Sequence, residues 1–594
     1  MKLADALVTT LRDWGLGYLF GVSGANIEHL HDAVHRLGGE RFRSVCAKSE
    51  VGAAFMADSR ARVHRTLGVC CSTSGGGMMN LAVGVAEAFA ESVPVLAIVG
   101  QPPTRLEGRG AFQDSSGIGR SVNAAGLWAA ISKYQARITE PGQFWRYLDC
   151  AVTAAMSGRP GPAVLLIPRD LFDSDVGPRP VWMPERLQEL NGLWYAPADA
   201  VAKLFDAIRT AATPVLLLGS GVDRCSQPAA VVEFARRLGV RTATTLASKG
   251  AFPNDDPLYL GTVGVAGEPS AHRFLTEQAD LIVAVGTGLN VMTAQPIQQA
   301  LRPERLAVVN IDMGDVSRIV RSSLFIEADA GVVFSQLNRL ADQTRVAARV
   351  TAPLPVTRFT PCLAPNLPPG RCGPPSVART GDLLQSQALD MLQPFLPTKG
   401  HVLFDAGNCA AAALHYLRIP ANVSATIALG MGGMGYAIAA AIGAQIGSPR
   451  SSRTMVFCGD GAFLMLGAEV HTAVDHQLPI LFVVFNNGMH GMCVTRQQLY
   501  FDGRIECSRY SAISVAKVAR GFGSPDSLWV ASAGTLKELN EVLMDSRRRL
   551  DRPGVLELRL HREEMPPFTP FLSADAPTYC TVADAVGGGD LAAD

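Results

Sequence analysis

Two side chains that offer oxygen ligands stand where the chain turns out of a strand. Between Thr454 and Met492 it reads TMVFCGDGAFLMLGAEVHTAVDHQLPILFVVFNNGMHGM. The short apolar runs Met455 to Cys458 and Ile480 to Phe485, each bounded by a turn signal, predict strands, and the segment between them is long enough for a helix. Such a strand-helix-strand unit is parallel, so both strands end on one crevice, where open α/β sheets bind ligands. Asp460 and Asn487, 27 positions apart, therefore face a common site. A helix starting just after Gly461 would point its free backbone N–H groups and positive dipole end there, favouring a phosphate-bearing ligand. A carboxylate, an amide oxygen and phosphate oxygens are hard ligands that together suit Mg2+. Taken singly, Gly-Asp-Gly is an ordinary turn and Asn487-Gly488 a hairpin signal.

A second acidic residue belongs to the segment AKSEVGAAFMADSRAR, which sets Glu50 at the start of a helix with Ser49 placed to cap it. Acidic residues in a first turn favour the helix dipole and most are simply solvated, so the position alone assigns no chemistry.

The elements that must hold these residues follow from pattern and composition. At 594 residues the chain predicts three to four domains, and 48% hydrophobic against 18% charged residues suits α/β layers with buried parallel strands. Helices and strands alternate from Met1 to about Pro180, with strands expected at Gly17 to Val22, Val69 to Ser72, Val95 to Val99 and Ala163 to Ile167. A second α/β unit runs from about Pro197 to Asp342, opening on the strand Val215 to Leu218, and a third begins near Gly381. Residues 351–380 are dense in Pro and read as an extended linker; after Pro567 the chain turns to small residues and a mobile tail is expected. In LLLGSGVD, Gly219 and Gly221 superficially match a dinucleotide fingerprint, but Arg224 stands in place of its third glycine, so a strand-to-helix turn is expected instead.

Lys+Arg and Asp+Glu are equal at 53 each, which leaves no basic footprint for nucleic acid or an anionic membrane. Ala425 to Ser448 carries no charge, yet Gly430, Gly432, Gly433 and Gly435 leave an apolar helix from Tyr436 too short to span a bilayer, so a buried core helix is expected. The 12 cysteines form no CxxC pair or zinc-spaced cluster, and no signal-peptide pattern precedes the helix-like segment Leu3 to Trp14, which together predict free thiols in the cytoplasm.

The spacing of Asp460 and Asn487, with the strand-helix-strand between them, resembles the diphosphate-binding motif of thiamine diphosphate (ThDP) enzymes, and nearly the whole chain resembles their acetohydroxyacid (acetolactate) synthase group. FGVSGANIEHLHDAV is similar to that group's FGVPGG...LYDAL, the Glu50 segment to HEQGAAHAAEGYAR, TSGGGMMN to TSGPGATN, SGRPGPAVLLIPRDL to SGRPGPVLIDIPKD, and MGGMGY to LGTMGY. TTLASKGAFP in the middle unit matches as well. The resemblance implies an α/β fold of three doubly wound parallel-sheet domains: a pyrimidine-binding domain at 1–180, a middle domain at 197–345, and, after a linker at 346–380, a diphosphate-binding domain at 381–566, with a tail at 567–594. It implies that Asp460, the side chain of Asn487 and the carbonyl of Met489 bind Mg2+, and that Gly407, Asn408, Gly459, Gly461, His490, Gly491 and Met492 line the cofactor. Glu50 would hydrogen-bond N1′ of the pyrimidine ring and share a proton with it. Met434 would support the folded cofactor while the Gly432 carbonyl accepts from its 4′-amino group. A 2-oxo acid such as pyruvate would lose CO2 and the activated aldehyde would join an acceptor. The family's acidic residue and metal motif face each other across a subunit boundary, which implies a homodimer or homotetramer. Some members keep FAD in the middle domain; no motif here supports it.

Departures from the pattern refine the expectation. The family's DVGQH is here Asp405-Ala406-Gly407-Asn408-Cys409, which loses a histidine donor but keeps the polar amide of Asn408, and His490 stands where the family often has Gln. GRGAFQDSSG lacks the paired histidines of simple decarboxylases and offers Phe112 and Gln113, which in carboligases line the reacting centre and favour ligation. GMCVTRQQLYF puts Arg496 where acetohydroxyacid synthases carry an acceptor-selecting tryptophan, and a guanidinium suits a carboxylate or phosphate on the acceptor or donor. The alternatives are a decarboxylase that does not ligate, and a catalytically silent ThDP-fold regulatory subunit, against which Glu50 argues.

Overall fold

Continuous apolar runs separated by helical segments can bury both faces of a strand, and they do so here in three six-stranded parallel sheets flanked by helices. The computed structural model describes residues 1–187, 194–349, 352–359, 361, 382–546, 551–560 and 563–571. Most of the Pro-rich linker, and the tail beyond residue 571, lie outside the described residues.

The first sheet has the order Phe42–Cys46, Gly17–Gly21, Gly68–Ser72, Val95–Gln101, Ala163–Pro168, Tyr134–Arg137. The four strands expected from sequence in this region all form, to within two residues at each end. The third sheet runs Val423–Ile427, Gly400–Phe404, Arg453–Gly459, Ile480–Asn486, Gly554–Arg559, Trp529–Ala533, which repeats the first sheet strand for strand. No repeat is legible in the residues themselves. The middle sheet is ordered Leu324–Glu327, Leu306–Asn310, Leu281–Val285, Pro214–Leu218, Arg241–Thr245, Tyr259–Val263, the arrangement of the dinucleotide-binding sheets. There Gly219 and Gly221 are used for packing: a Cβ on Gly219 would lie 2.5 Å from the Gly286 carbonyl oxygen, and one on Gly221 would lie 2.8 Å from the Gly286 Cα. The expected strand-to-helix turn is what forms, with a short helix at Ser220–Arg224.

Two compact units divide the chain. One comprises Met1–Gly192, Ala428–Arg450 and Met465–Ile480; the other comprises Leu193–Ile427, Ser451–Leu464 and Leu481–Asp594. In the first unit the uncharged helix Tyr436–Gln445 is buried at every residue and lies on the helix Glu50–His64. Gly443 allows the two backbones to meet, because any Cβ there would overlap the Met56 carbonyl oxygen. The Phe55 and Tyr436 rings pack edge to face at 5.1 Å, and the Tyr436 hydroxyl donates to Asp58 Oδ1 at 2.5 Å. Among the described residues no helix is long and apolar enough to cross a membrane. One sequence expectation needs correction. The single helix between Asp460 and Ile480 is two, Asp460–Leu466 and Glu469–Asp475, broken at Gly467 and beginning at Asp460 itself, ahead of Gly461.

Candidate functional site

In the first unit the order of the sheet reverses between Gly17–Gly21 and Gly68–Ser72, and the residues leaving those strands meet. Asn26 donates its backbone N–H to Thr73 Oγ1 at 3.3 Å and its Nδ2 to Ser74 Oγ at 2.8 Å. Thr73 Oγ1 in turn donates to Gln113 Oε1 at 3.2 Å. Gln113 holds a left-handed backbone (φ 60°), a conformation that costs energy for a residue with a side chain, and Phe112 beside it is 79% exposed.

Glu50 opens its helix as expected, with Ser49 Oγ accepting from the Gly52 N–H at 3.0 Å as the cap. Its carboxylate accepts from Asn80 Nδ2 at 3.0 Å, and Gly77 leaves room for it, since a Cβ there would come within 2.8 Å of Glu50 Oε1. The loop carrying Gly432 and Met434 belongs to the same unit. Gly432 is left-handed (φ 65°) with open space around it, and Met434 is half-buried.

Two carboxylates that sequence reading passed over organise this half. Glu469, buried, accepts from the backbone N–H groups of Lys48 and Ser49 at 3.0 and 3.1 Å and from the Thr472 hydroxyl at 2.8 Å, so it fixes the two residues ahead of Glu50. Glu87, also buried, accepts from the N–H groups of Gly430 and Met431 at 3.1 and 2.7 Å and so fixes the approach to Met434. Burial pushes both carboxyls above the usual range; the nearby Arg62 guanidinium opposes this at Glu87. An acid inside an otherwise apolar helical run is the one sequence signal either gives.

In the second unit the third sheet reverses between Gly400–Phe404 and Arg453–Gly459, and Asp405 to Asn408 and Asp460 follow those strands. The structure brings Asp460 and the Asn487 turn together as expected: Asp460 Oδ2 accepts from the Gly488 N–H at 2.9 Å. Asp460 is buried, and that burial raises its carboxyl above the usual range. Asn487 Oδ1 accepts from the Met489 N–H at 3.2 Å, while Met489 itself bridges to Arg509. Glu563, a third carboxylate missed in the sequence, accepts from Asn408 Nδ2 at 2.7 Å and from Asn487 Nδ2 at 2.8 Å. Gly407, left-handed at φ 91°, and His490 precede helices Asn408–Tyr416 and Gly491–Tyr500, and neither helix start has a side-chain cap. Gly459 and buried Gly461 flank Asp460, and Met492 is half-buried one turn before the exposed Arg496, whose guanidinium donates to Cys493 Sγ at 3.2 Å.

Three family models match along the chain: the N-terminal thiamine pyrophosphate (TPP) binding domain of the thiamine pyrophosphate enzymes at residues 1–118, their central domain at 201–337, and their C-terminal TPP binding domain at 405–558. The chain belongs to the thiamine pyrophosphate enzyme family. Its relatives place it in the acetolactate synthase-like group. It is 27% identical to a probable acetolactate synthase large subunit of Methanocaldococcus jannaschii, over 96% of this chain and 94% of the relative. It is 27% identical to the acetolactate synthase isozyme 1 large subunit of Escherichia coli, over 94% of each, and 29% identical to the acetolactate synthase large subunit of Corynebacterium glutamicum, over 85% of this chain and 78% of the relative.

The donors of this thiamine pyrophosphate enzyme fit a diphosphate joined to a divalent cation. Two uncapped helix starts offer free N–H groups for phosphate oxygens. Asp460 supplies a buried carboxylate; burial raises the Glu563 carboxyl above the usual range, the hydrogen bonds from Asn408 and Asn487 oppose this, and the nearby Glu564 and Asp460 carboxylates add to the rise. Asn408 Oδ1, an acceptor, is buried with no partner among the described residues. Among the described residues no cluster of three or more His, Cys, Asp or Glu side chains is placed to hold a metal; one carboxylate with amide and carbonyl oxygens is a donor set that would suit Mg2+.

Proposed function

We propose that this enzyme is a Mg2+- and ThDP-dependent decarboxylating carboligase that takes a 2-oxo acid such as pyruvate as donor and joins the activated aldehyde to an acceptor bearing an anionic group. Asp460, Asn487 Oδ1 and the Met489 carbonyl would hold Mg2+, and the helix starts at Gly407 and His490, with Asn408, Gly459, Gly461, Gly491 and Met492, would enclose the diphosphate. When bound, ThDP supplies the electron sink that lets a 2-oxo acid release CO2. Glu50 would hold and return a proton at the pyrimidine N1′. The Gly432 carbonyl and Met434 would orient the bent cofactor, and Phe112 and Gln113 would line the reacting centre. Arg496 would bind the acceptor's anionic group. The proposed working form is a cytoplasmic homodimer or homotetramer with Glu50 of one protomer serving the metal motif of its partner, and with domains at 1–180, 197–345 and 381–566.

One observation supports ligation over protonation. The side chain that Thr73 holds is the amide of Gln113, and no histidine stands in the loop from Gly108 to Gly117. An amide at that place can orient an acceptor but is a poor acid. Mass spectrometry of products from pyruvate offered with neutral and anionic acceptors tests the reading. Ligated products are expected; free aldehyde at full rate without acceptor would favour the non-ligating decarboxylase. Glu50→Gln is expected to abolish CO2 release while ThDP still binds with Mg2+. If the wild-type chain binds both and releases no CO2 from a panel of 2-oxo acids, the silent regulatory subunit replaces this reading.

A further inference from the structure

We infer that Glu563 is a positioning residue that holds the amides of Asn408 and Asn487 by their NH2 groups, so that the Asn487 oxygen is turned to the cation; this rests on the Mg2+–ThDP reading above. An ionised carboxylate has only acceptors, so each asparagine must offer it an NH2 group. Glu563 Oε1 takes Asn408 Nδ2 at 2.7 Å and Oε2 takes Asn487 Nδ2 at 2.8 Å. The other N–H of Asn408 goes to Thr495 Oγ1 at 3.2 Å, and that hydroxyl donates to the Gly491 carbonyl at 3.0 Å. Both amides are thereby fixed in one sense. Among the described residues, Asn487 Oδ1 is left with a single contact, the Met489 N–H at 3.2 Å, and Asn408 Oδ1 is buried with none.

Gly491 closes the arrangement. A Cβ there would lie 2.9 Å from Glu563 Oε1 and 3.1 Å from the Nδ2 atoms of both asparagines, so any larger residue at the start of helix Gly491–Tyr500 would push on all three side chains of the clamp. An asparagine free to rotate would offer a cation its NH2 group half the time. Glu563 removes that choice, as groups behind metal ligands commonly do.

Calorimetric titration of the full-length apoprotein with Mg2+ at fixed ThDP tests this. Glu563→Gln keeps size but offers one acceptor and one donor, so one asparagine must invert. The expected result is about a 10- to 100-fold rise in half-saturating Mg2+, with the Tm of the apoprotein unchanged and ThDP affinity at saturating Mg2+ shifted less than about threefold. Adding Asn487→Asp, which gives the new amide an acceptor and leaves an oxygen for the cation, should restore Mg2+ affinity. Glu563→Asp, which keeps charge but is too short to span both amides, should also weaken Mg2+. A Glu563→Gln protein that binds Mg2+ like wild type, or one whose loss appears only as a lower Tm, overturns the assignment while leaving the functional reading intact. A wild-type protein that shows no Mg2+-dependent ThDP binding overturns both.

Discussion

Replacing Glu469 by alanine removes the acceptor for two backbone N–H groups immediately ahead of Glu50, those of Lys48 at 3.0 Å and Ser49 at 3.1 Å. Hydrogen bonds to a charged partner contribute roughly 1.5–3 kcal/mol each, so the local cost is about 3–6 kcal/mol. Every 1.4 kcal/mol is a factor of about ten in an opening equilibrium, so amide hydrogen exchange at Lys48 and Ser49 should accelerate about 100-fold or more. Exchange at single amides is the appropriate assay, because a chain with several domains has no single unfolding free energy. Glu469→Gln retains one oxygen for both N–H groups and can turn its NH2 to the Thr472 hydroxyl, so it should cost about 1 kcal/mol and less than tenfold in exchange. Gly52→Ala gives an independent check: a Cβ there would overlap the Glu469 carboxylate, so the substitution should displace it and reproduce the alanine phenotype without touching Glu469. Because Ser49 caps the helix that Glu50 opens, the exchange-accelerated variants should also release CO2 more slowly, mainly through kcat. Protection at Lys48 and Ser49 within threefold of wild type in Glu469→Ala would refute the reasoning.

Lys249 and Glu268 form a buried pair at 3.4 Å in the second unit, so Lys249→Met should destabilise that region by about 3–5 kcal/mol in thermal unfolding, and adding Glu268→Gln should recover much of it. His415 and His272 are buried and held neutral, their values pushed down to about 3 and about 4; since the unfolded chain protonates near the ordinary value, stability is lost as pH falls through about 6.5 toward 4. At pH 5 each should cost about 2 kcal/mol, visible as a falling Tm that is reduced in a His272→Gln variant. Arg496→Trp should lower the ratio of kcat/KM for anionic over neutral acceptors about tenfold or more, as expected for loss of a charged hydrogen bond; an unchanged ratio would remove Arg496 from the acceptor site.

Strands were legible because a parallel sheet buries both faces, so Val95–Gln101 and Ile480–Asn486 read as unbroken apolar runs. The meeting of Asp460 with the Asn487 turn was legible too, since a strand-helix-strand unit of that length forces both strand ends to one edge. What failed to show is long-range and polar. Glu469 reaches 421 residues back to Lys48, Glu87 reaches 343 forward to Gly430, and Glu563 reaches 155 back to Asn408, and the backbone N–H groups that the first two satisfy leave no mark on the residue type. The matching orders of the first and third sheets were hidden for a related reason: connection handedness and packing set strand order, and many unrelated residues satisfy both. Gly467, which splits the helix after Asp460, was a visible signal that the length of the segment outweighed.

The way the first unit is assembled from distant parts of the chain bears on its synthesis. Helix Glu50–His64 emerges from the ribosome early, but its partner Tyr436–Gln445 comes much later. At about 5–20 residues per second, the roughly 240 residues that separate the two parts of this unit take about 12–50 s to make. Throughout that interval the nascent amino-terminal part exposes the apolar face that Tyr436–Gln445 will cover, so successful production depends on chaperone capture or slow aggregation, and a messenger truncated before codon 428 should yield an insoluble product.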